Sequence, residues 1–72
     1  MNRYALMIKY DAPEEHWENC MTSISGTLKS GEFPIQDVYR IPGTSSFIFT
    51  ADEEGAQVVQ DRFDTGKVHL LP

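Results

Sequence analysis

The order of its secondary-structure elements constrains the fold of this chain more than any other feature. Apolar alternation with period two predicts strands over residues 4–10, 35–41, 46–51 and 67–71, and helical spacing predicts helices over 11–31 and between Glu54 and Asp64. The order strand-helix-strand-strand-helix-strand predicts a ferredoxin-like α+β domain, a four-stranded antiparallel sheet with two helices on one face. Residues 1–72 leave room for a single small domain of this kind.

Both predicted helices begin with acidic residues, which suit the positive end of a helix dipole. Asp11 and Glu14 have the spacing of a capping box at the first helix, and Gly31 is its expected stop. Thr50 or Asp52 is the expected cap of the second helix. The spacing of apolar residues predicts one core cluster that contains Leu6, Ile8, Trp17, Ile24, Leu28 and Phe63.

The second and third strands are predicted to form an antiparallel hairpin. Pro42 and Gly43 between them fit the centre of a type II turn, because glycine tolerates the positive φ angle of the second central position. Alternation gives the second strand one face with Ile35, Asp37, Tyr39 and Ile41, and another with Gln36, Val38 and Arg40.

The face of the sheet opposite the helices is the candidate binding surface. If Leu6 and Ile8 point toward the helices, the alternate residues of the first strand point to the open face. The predicted surface consists of Ala5, Met7, Lys9, Val38 and Arg40. Apolar side chains on both faces of the central strands also predict a homodimer, since association covers surface that a small monomer leaves exposed.

The charge balance restricts the class of partner. Lys and Arg number 6 and Asp and Glu 11, which gives a net charge of -5. Nucleic-acid-binding proteins carry a basic footprint, so we expect a protein partner, and an acidic chain suits a basic partner surface. The lone cysteine, Cys20, excludes an intrachain disulfide and is expected to be a core thiol. We expect a cytoplasmic protein, because signal-peptide features are lacking and no apolar run approaches the roughly 18 residues of a membrane span.

No complete catalytic or ligand-binding motif is present, and no cofactor is predicted. Asp11 is interpreted first as a helix cap and only second as a metal ligand, because it stands directly before a helical run. His16 is a candidate general base, since histidine titrates near neutrality. His69 is predicted to face solvent or a dimer mate. Phe47 and Phe49 share one face of a central strand, so they would stack on nucleobases only if that face were open.

The segment Ala5–Asp11, an apolar strand ending in Tyr-Asp, resembles the opening of the small CRISPR-associated endonucleases of spacer acquisition and of the SinR-like and VapD-like ribonucleases. Residues 47–52 and 57–63 are similar to the third strand and second helix of the SinR-like members. The resemblance implies a symmetric dimer in which Asp11 of each subunit holds a divalent cation for phosphodiester cleavage by metal-activated water.

Three functions follow as hypotheses. The first is a small acidic, non-enzymatic binding or regulatory protein that acts through protein–protein contacts, as inhibitors from phages and mobile elements do. The second is a Mg²⁺-dependent, endoribonuclease-like homodimer that uses Asp11. The third is a small-ligand-sensing regulatory module, because such modules share the element order, although no glycine-bearing ligand loop follows the first strand. We favour the first, since a shared fold alone does not carry an activity.

Overall fold

The computed structural model describes residues 1–9 and 14–72 of the chain. Those residues form the strands β1 (Asn2–Ile8), β2 (Gln36–Arg40), β3 (Ser46–Ala51) and β4 (Gly66–Leu70). Helix α1 (Trp17–Leu28), preceded by a short 3-10 helix (Glu14–His16), connects β1 to β2, and helix α2 (Glu53–Arg62) connects β3 to β4. The predicted order of elements is therefore confirmed.

The strands form one antiparallel sheet in the order β2-β3-β1-β4. β1 lies between β3 and β4, and β3 lies between β2 and β1, so the first and third strands are central. Central strands need apolar residues because neighbours cover them on both edges and the helices cover one face. This is the ferredoxin-like α+β arrangement that the sequence predicts.

One core cluster fills the space between the sheet and both helices. Leu6 and Phe47, which pair across β1 and β3, are fully buried in it. The rings of Tyr4 and Phe49 stack beside them with their centroids 5.7 Å apart. The helices complete the cluster with Met21 and Leu28 of α1 and Ala56 and Val59 of α2. Because both helices contribute to a cluster built on one face of the sheet, both pack on that face.

The predicted core residues behave unequally. Leu6, Ile8 and Leu28 are buried, whereas Ile24 and Phe63 are partly buried and pack against the cluster. Trp17 is only half-buried, because it is the first residue of α1 and lies at the end of the apolar stripe.

The start of the first helix carries two predictions that lie outside the described residues, namely Asp11 as a helix cap and Asp11 as a metal ligand. The end of α1 comes earlier than predicted. The amide of Lys29 donates to the carbonyl oxygen of Ser25 at 3.0 Å and closes the last turn. Gly31 follows with a φ angle of +92°, which belongs to the loop beyond the helix.

The turn between β2 and β3 has the predicted form. The amide of Thr44 donates to the carbonyl oxygen of Ile41 at 3.2 Å, and Gly43 between them has a φ angle of +76°. That positive φ angle is the one that a type II turn requires at its second central residue. The cap of α2 is also confirmed, because the Asp52 carboxylate accepts a hydrogen bond from the Gly55 amide at 2.8 Å.

A β-bulge changes the phase of β2. Between Gln36 and Tyr39 the pairing with β3 shifts, so that Asp37 and Val38 together stand opposite one residue of β3. Asp37 has a φ angle of +54°, a left-handed conformation that a bulge accommodates. The residues after the bulge therefore point to the faces opposite those that strict alternation assigns.

The predicted placement of two candidate binding residues is wrong for this reason. Val38 packs against the core cluster on the helix-covered side. Arg40 pairs in register with the buried Phe47 and reaches Glu18 of α1, so it also lies on the helix-covered side. Tyr39 takes their place on the open face, where it pairs with Ile48.

Candidate functional site on the open face of the sheet

The open face is the sheet face turned away from both helices. The register places on it Arg3, Ala5 and Met7 of β1, Gln36 and Tyr39 of β2, Ser46, Ile48 and Thr50 of β3, and Lys67 and His69 of β4. Two of the predicted site residues, Ala5 and Met7, are therefore on this face. Lys9, which is exposed, directly follows the end of β1.

The centre of the open face is a row that crosses all four strands. Tyr39 pairs with Ile48, Ile48 pairs with Ala5, and Ala5 pairs with His69. Ala5 and Ile48 are each only 7% exposed although the helices pack on the other face. The register places these two residues between Tyr39 and His69, so they form an apolar floor at the centre of the face.

A hydrogen bond spans this floor from one strand to another. The Arg3 guanidinium donates to the Tyr39 hydroxyl at 2.8 Å. Arg3 is in β1 and Tyr39 is in β2, so the bond passes over β3, where Ile48 lies. The bond holds a cation and an aromatic ring at the rim of the floor, which is the combination enriched at protein interfaces.

Acidic side chains are unevenly distributed over the molecule, whereas basic ones occur on both sides, since Lys29, Arg40 and Arg62 belong to the helices or to the helix-covered side. Arg3, Lys67 and His69 lie on the open face, and the strand register assigns no carboxylate to that face among residues 1–9 and 14–72, while the exposed Asp37 in the bulge of β2 has no register partner. The acidic side chains of the helices and of the turn after α2 include Glu15, Glu18, Glu53, Glu54, Asp61 and Asp64. The chain as a whole is acidic, yet the strand register assigns no carboxylate among the described residues to its open face. Net charge alone does not predict this.

Arg40 forms a polar contact on the helix-covered side instead of the predicted open-face site. Its guanidinium donates to the Glu18 carboxylate at 2.7 Å and, through Nε, to the Thr44 carbonyl oxygen at 2.9 Å. The hydrogen bond from Arg40 lowers the pKa of Glu18, and the same contact raises the pKa of Arg40. Arg40 therefore ties β2 to α1 and to the hairpin turn.

A second concave region lies between α2 and β4. It is an open groove of about 660 Å³ lined by Tyr4, Glu53, Glu54, Ala56, Gln57, Gln60, Val68 and Leu70. The groove lies on the helix-covered side, away from the candidate binding surface.

The other chemistry-bearing residues remain apart from one another. His16 is exposed, and its Nε2 lies 3.7 Å from a carboxylate oxygen of Glu15. Cys20 is half-buried against the core. Phe47 and Phe49 face the helices and are fully buried, which removes them as stacking platforms. Within the part of the chain that the structure describes, no group of three or more His, Cys, Asp and Glu side chains is placed to hold a metal ion.

Sequence reasoning missed Arg3, Tyr39, Lys67 and His69 as members of one surface. Arg3, Ala5 and Met7 are alternate residues of one strand. The period-two pattern therefore already indicates that Arg3 shares their face. His69 is exposed, and the structure places it on the open face, since it pairs with Ala5. The bulge places Tyr39 on the open face, and no local sequence pattern predicts that bulge.

Comparison of the chain with known protein families, curated proteins and solved structures finds no match. The resemblance to small CRISPR-associated and SinR-like or VapD-like nucleases therefore stays a prediction. In residues 1–9 and 14–72, neither helix has the length and apolar character needed to span a bilayer.

Proposed function

We propose that this chain is a non-enzymatic binding protein that docks a protein partner with the open face of its sheet. The observation that supports the proposal is the set of basic side chains on this face. Arg3, Lys67 and His69 surround an apolar floor, and the strand register places no carboxylate among them. Charge complementarity then favours a partner with an acidic surface, because like charges across an interface are costly. This reverses the expectation from net charge, which pointed to a basic partner.

The apolar part of the face supports a protein interface. Met7 is 51% exposed and Tyr39 is 45% exposed, and both border the floor of Ala5 and Ile48. Protein interfaces combine a small apolar centre with a polar rim, and tyrosine and methionine are enriched in them. Tyr39, held by Arg3, is the side chain we expect to carry most of the binding free energy.

A protein partner fits this face better than nucleic acid does. Sheets that bind single-stranded RNA stack bases on aromatic side chains, commonly from their central strands. Here the central strands place Ala5 and Ile48 on the open face, while Phe47 and Phe49 point to the helices. The one aromatic ring that the register gives to the face, Tyr39, is on the edge strand β2.

The test is affinity capture from a lysate of the cells that naturally make the chain, followed by quantitative mass spectrometry. Lys67→Glu reverses a charge on the open face, and Lys29→Glu makes the same change at the end of α1, away from that face. We expect a protein that wild type and Lys29→Glu retain and that Lys67→Glu loses. Raising the salt concentration should weaken its capture, because exposed charges are screened.

Two results would overturn the proposal. If wild type and Lys67→Glu captured every protein equally, the open face would not be the binding surface. Capture that disappears after nuclease treatment of the lysate would replace the protein partner with nucleic acid. A thermal melt of each variant checks that folding is intact, since exposed substitutions usually change stability by only about 0.5 kcal/mol.

The nuclease hypothesis has its own decisive assay. Wild type and Asp11→Asn are incubated with RNA and Mg²⁺, and Asp52→Asn, which alters the cap of α2, serves as the matched control. A non-enzymatic protein gives background cleavage in all three. Strong Mg²⁺-dependent cleavage that is lost only in Asp11→Asn would establish the nuclease in its place.

A further inference from the structure

β4 has no neighbouring strand on its outer edge among residues 1–9 and 14–72. β4 pairs with β1, and the amide of Leu71 donates to Arg3 in that ladder at 2.9 Å. Backbone groups of successive residues point to opposite edges of an antiparallel strand. The amides and carbonyls of Gly66, Val68 and Leu70 therefore point outward, where another strand would bind. The Gly66 amide already donates to the carbonyl oxygen of Phe63 at 3.0 Å.

The side chain of Gln60, from α2, occupies part of that edge. Its Oε1 accepts a hydrogen bond from the Val68 amide at 2.9 Å. Its Nε2 donates to the carbonyl oxygen of Gly66 at 3.0 Å, with a longer contact of 3.4 Å to that of Phe63. A carboxamide has the same donor and acceptor pair as a peptide group. Gln60 thus satisfies one outward amide and one outward carbonyl, as a neighbouring strand would.

The opposite edge of the sheet is protected by a different device. β2 contains the bulge at Asp37, and bulges on edge strands interrupt the row of backbone groups that a new strand needs. Without Gln60, the β4 edge would be the more regular of the two. Its exposed apolar residue Leu70, 63% exposed, would favour pairing with an identical edge.

We infer that Gln60 stands in for a fifth strand beside β4 and thereby prevents a second copy of the chain from adding its own β4 there. The occupant that it excludes is an antiparallel β4 strand of that copy. Two copies related by a two-fold axis present the same edge to each other, so a single open edge is self-complementary. The inference is independent of the open-face function, since the edge and the face are different surfaces.

The test compares Gln60→Ala with Gln57→Ala. Gln57 lies one turn earlier in α2, and its side chain bonds to Asp61 of the same helix. Sedimentation equilibrium over a hundredfold range of protein concentration should show the average mass of Gln60→Ala rising above that of wild type at high concentration, with 8.2 kDa as the mass of one chain. Gln57→Ala should behave as wild type does.

Amide hydrogen exchange identifies the surface involved and requires no variant for its first step. In wild type, the Val68 amide should exchange severalfold more slowly than the Leu70 amide, because Gln60 accepts only from Val68. In Gln60→Ala, the Leu70 amide should become protected as the concentration rises, since a paired β4 edge would bind it. A dimer that forms through the open face would leave the Leu70 amide unprotected.

Three outcomes would overturn the inference. The first is equal exchange of the Val68 and Leu70 amides in wild type. The second is protection of Leu70 in wild type at high concentration, which would mean that the edge is already paired. The third is a Gln60→Ala protein that is folded by near-ultraviolet circular dichroism but keeps the concentration dependence of wild type, which would reduce Gln60 to a local support of the turn after α2.

Discussion

The two faces of the sheet differ sharply although the same strands form both. On β1, Leu6 is fully buried beneath the helices, and its chain neighbour Met7 is 51% exposed on the open face. The covered face obtains its burial from a second layer, the helices. Among the described residues that the register places on the open face, only Ala5 and Ile48 are buried. Most buried side chains of the sheet are thus on the covered face. Substitutions on the open face should therefore change the free energy of unfolding only a little.

The largest expected effect is the difference in stability loss between substitutions of Leu6 and of Met7. Leu6→Ala should lower the free energy of unfolding by about 2–5 kcal/mol, because it removes a fully buried side chain and leaves a cavity. Met7→Ala, the matched control, should cost less than about 1 kcal/mol, since half of that side chain is already in water. Urea denaturation followed by circular dichroism measures both. A loss below 1 kcal/mol for Leu6→Ala would place Leu6 outside the core.

A medium effect tests how closely the helices pack on the covered face. A Cβ atom at Gly55 of α2 would lie 2.8 Å from the carbonyl oxygen of Pro34 and 3.1 Å from the Cβ of Ala51. Gly55→Ala should therefore cost about 1–3 kcal/mol through overpacking. At Gly26 of α1 nothing lies within 4 Å of the added atom, so Gly26→Ala should stabilise by up to about 1 kcal/mol.

The same denaturation experiment decides between these expectations. The two substitutions are chemically identical and both lie in helices, so propensity alone would make both stabilising. Opposite signs would show that contact with the layer beneath decides the outcome. Stabilisation by Gly55→Ala would mean that α2 stands further from the loop at Pro34 than the structure places it.

The smallest effect concerns acid pH. The hydrogen bond from Arg40 holds the pKa of Glu18 below its ordinary value of 4.5. A carboxylate with a lowered pKa stabilises the folded state above its ordinary pKa, and this contribution is lost as the pH falls through the lowered value. The urea midpoint of wild type should therefore exceed that of Glu18→Gln at pH 7, and the difference should shrink as the pH falls below 4.5.

Tyr39→Phe provides the open-face control for this titration. It removes the hydroxyl that accepts from Arg3 and leaves the Glu18–Arg40 pair unchanged. Its difference from wild type should be the same at pH 7 and pH 3. High salt should reduce the Glu18 effect, because the carboxylate is exposed to solvent. A constant difference for Glu18→Gln across the whole range would contradict the pairing with Arg40.

Local signals in the sequence were sufficient for several parts of the fold. The bounds of β3, the Pro42–Gly43 turn and the Asp52 cap match the structure. Each depends on a few adjacent residues, because turn geometry, capping and period-two alternation are short-range properties. In a domain of this size, the order strand-helix-strand-strand-helix-strand has one common topology. The order of the strands in the sheet therefore followed from the order of elements along the chain.

The candidate surface needed long-range information. Strict alternation placed Val38 and Arg40 on the open face, and the bulge at Asp37 turned both to the helices. A bulge shifts every later residue of a strand, and its position depends on pairing with another strand rather than on local pattern. For the same reason, no pattern in β4 shows that the Gln60 carboxamide lies at its edge.

The sequence by itself determined which segments become strands and helices, where they turn and which strands are central, because local backbone preferences and apolar periodicity decide these features. Only the tertiary structure decided what the open face carries. It brought together Arg3, Tyr39, Lys67 and His69 from three strands and separated them from the acidic helices. Net charge is the sum of all charges in the chain. The charge of one surface depends only on the residues that strand register and packing bring to that surface.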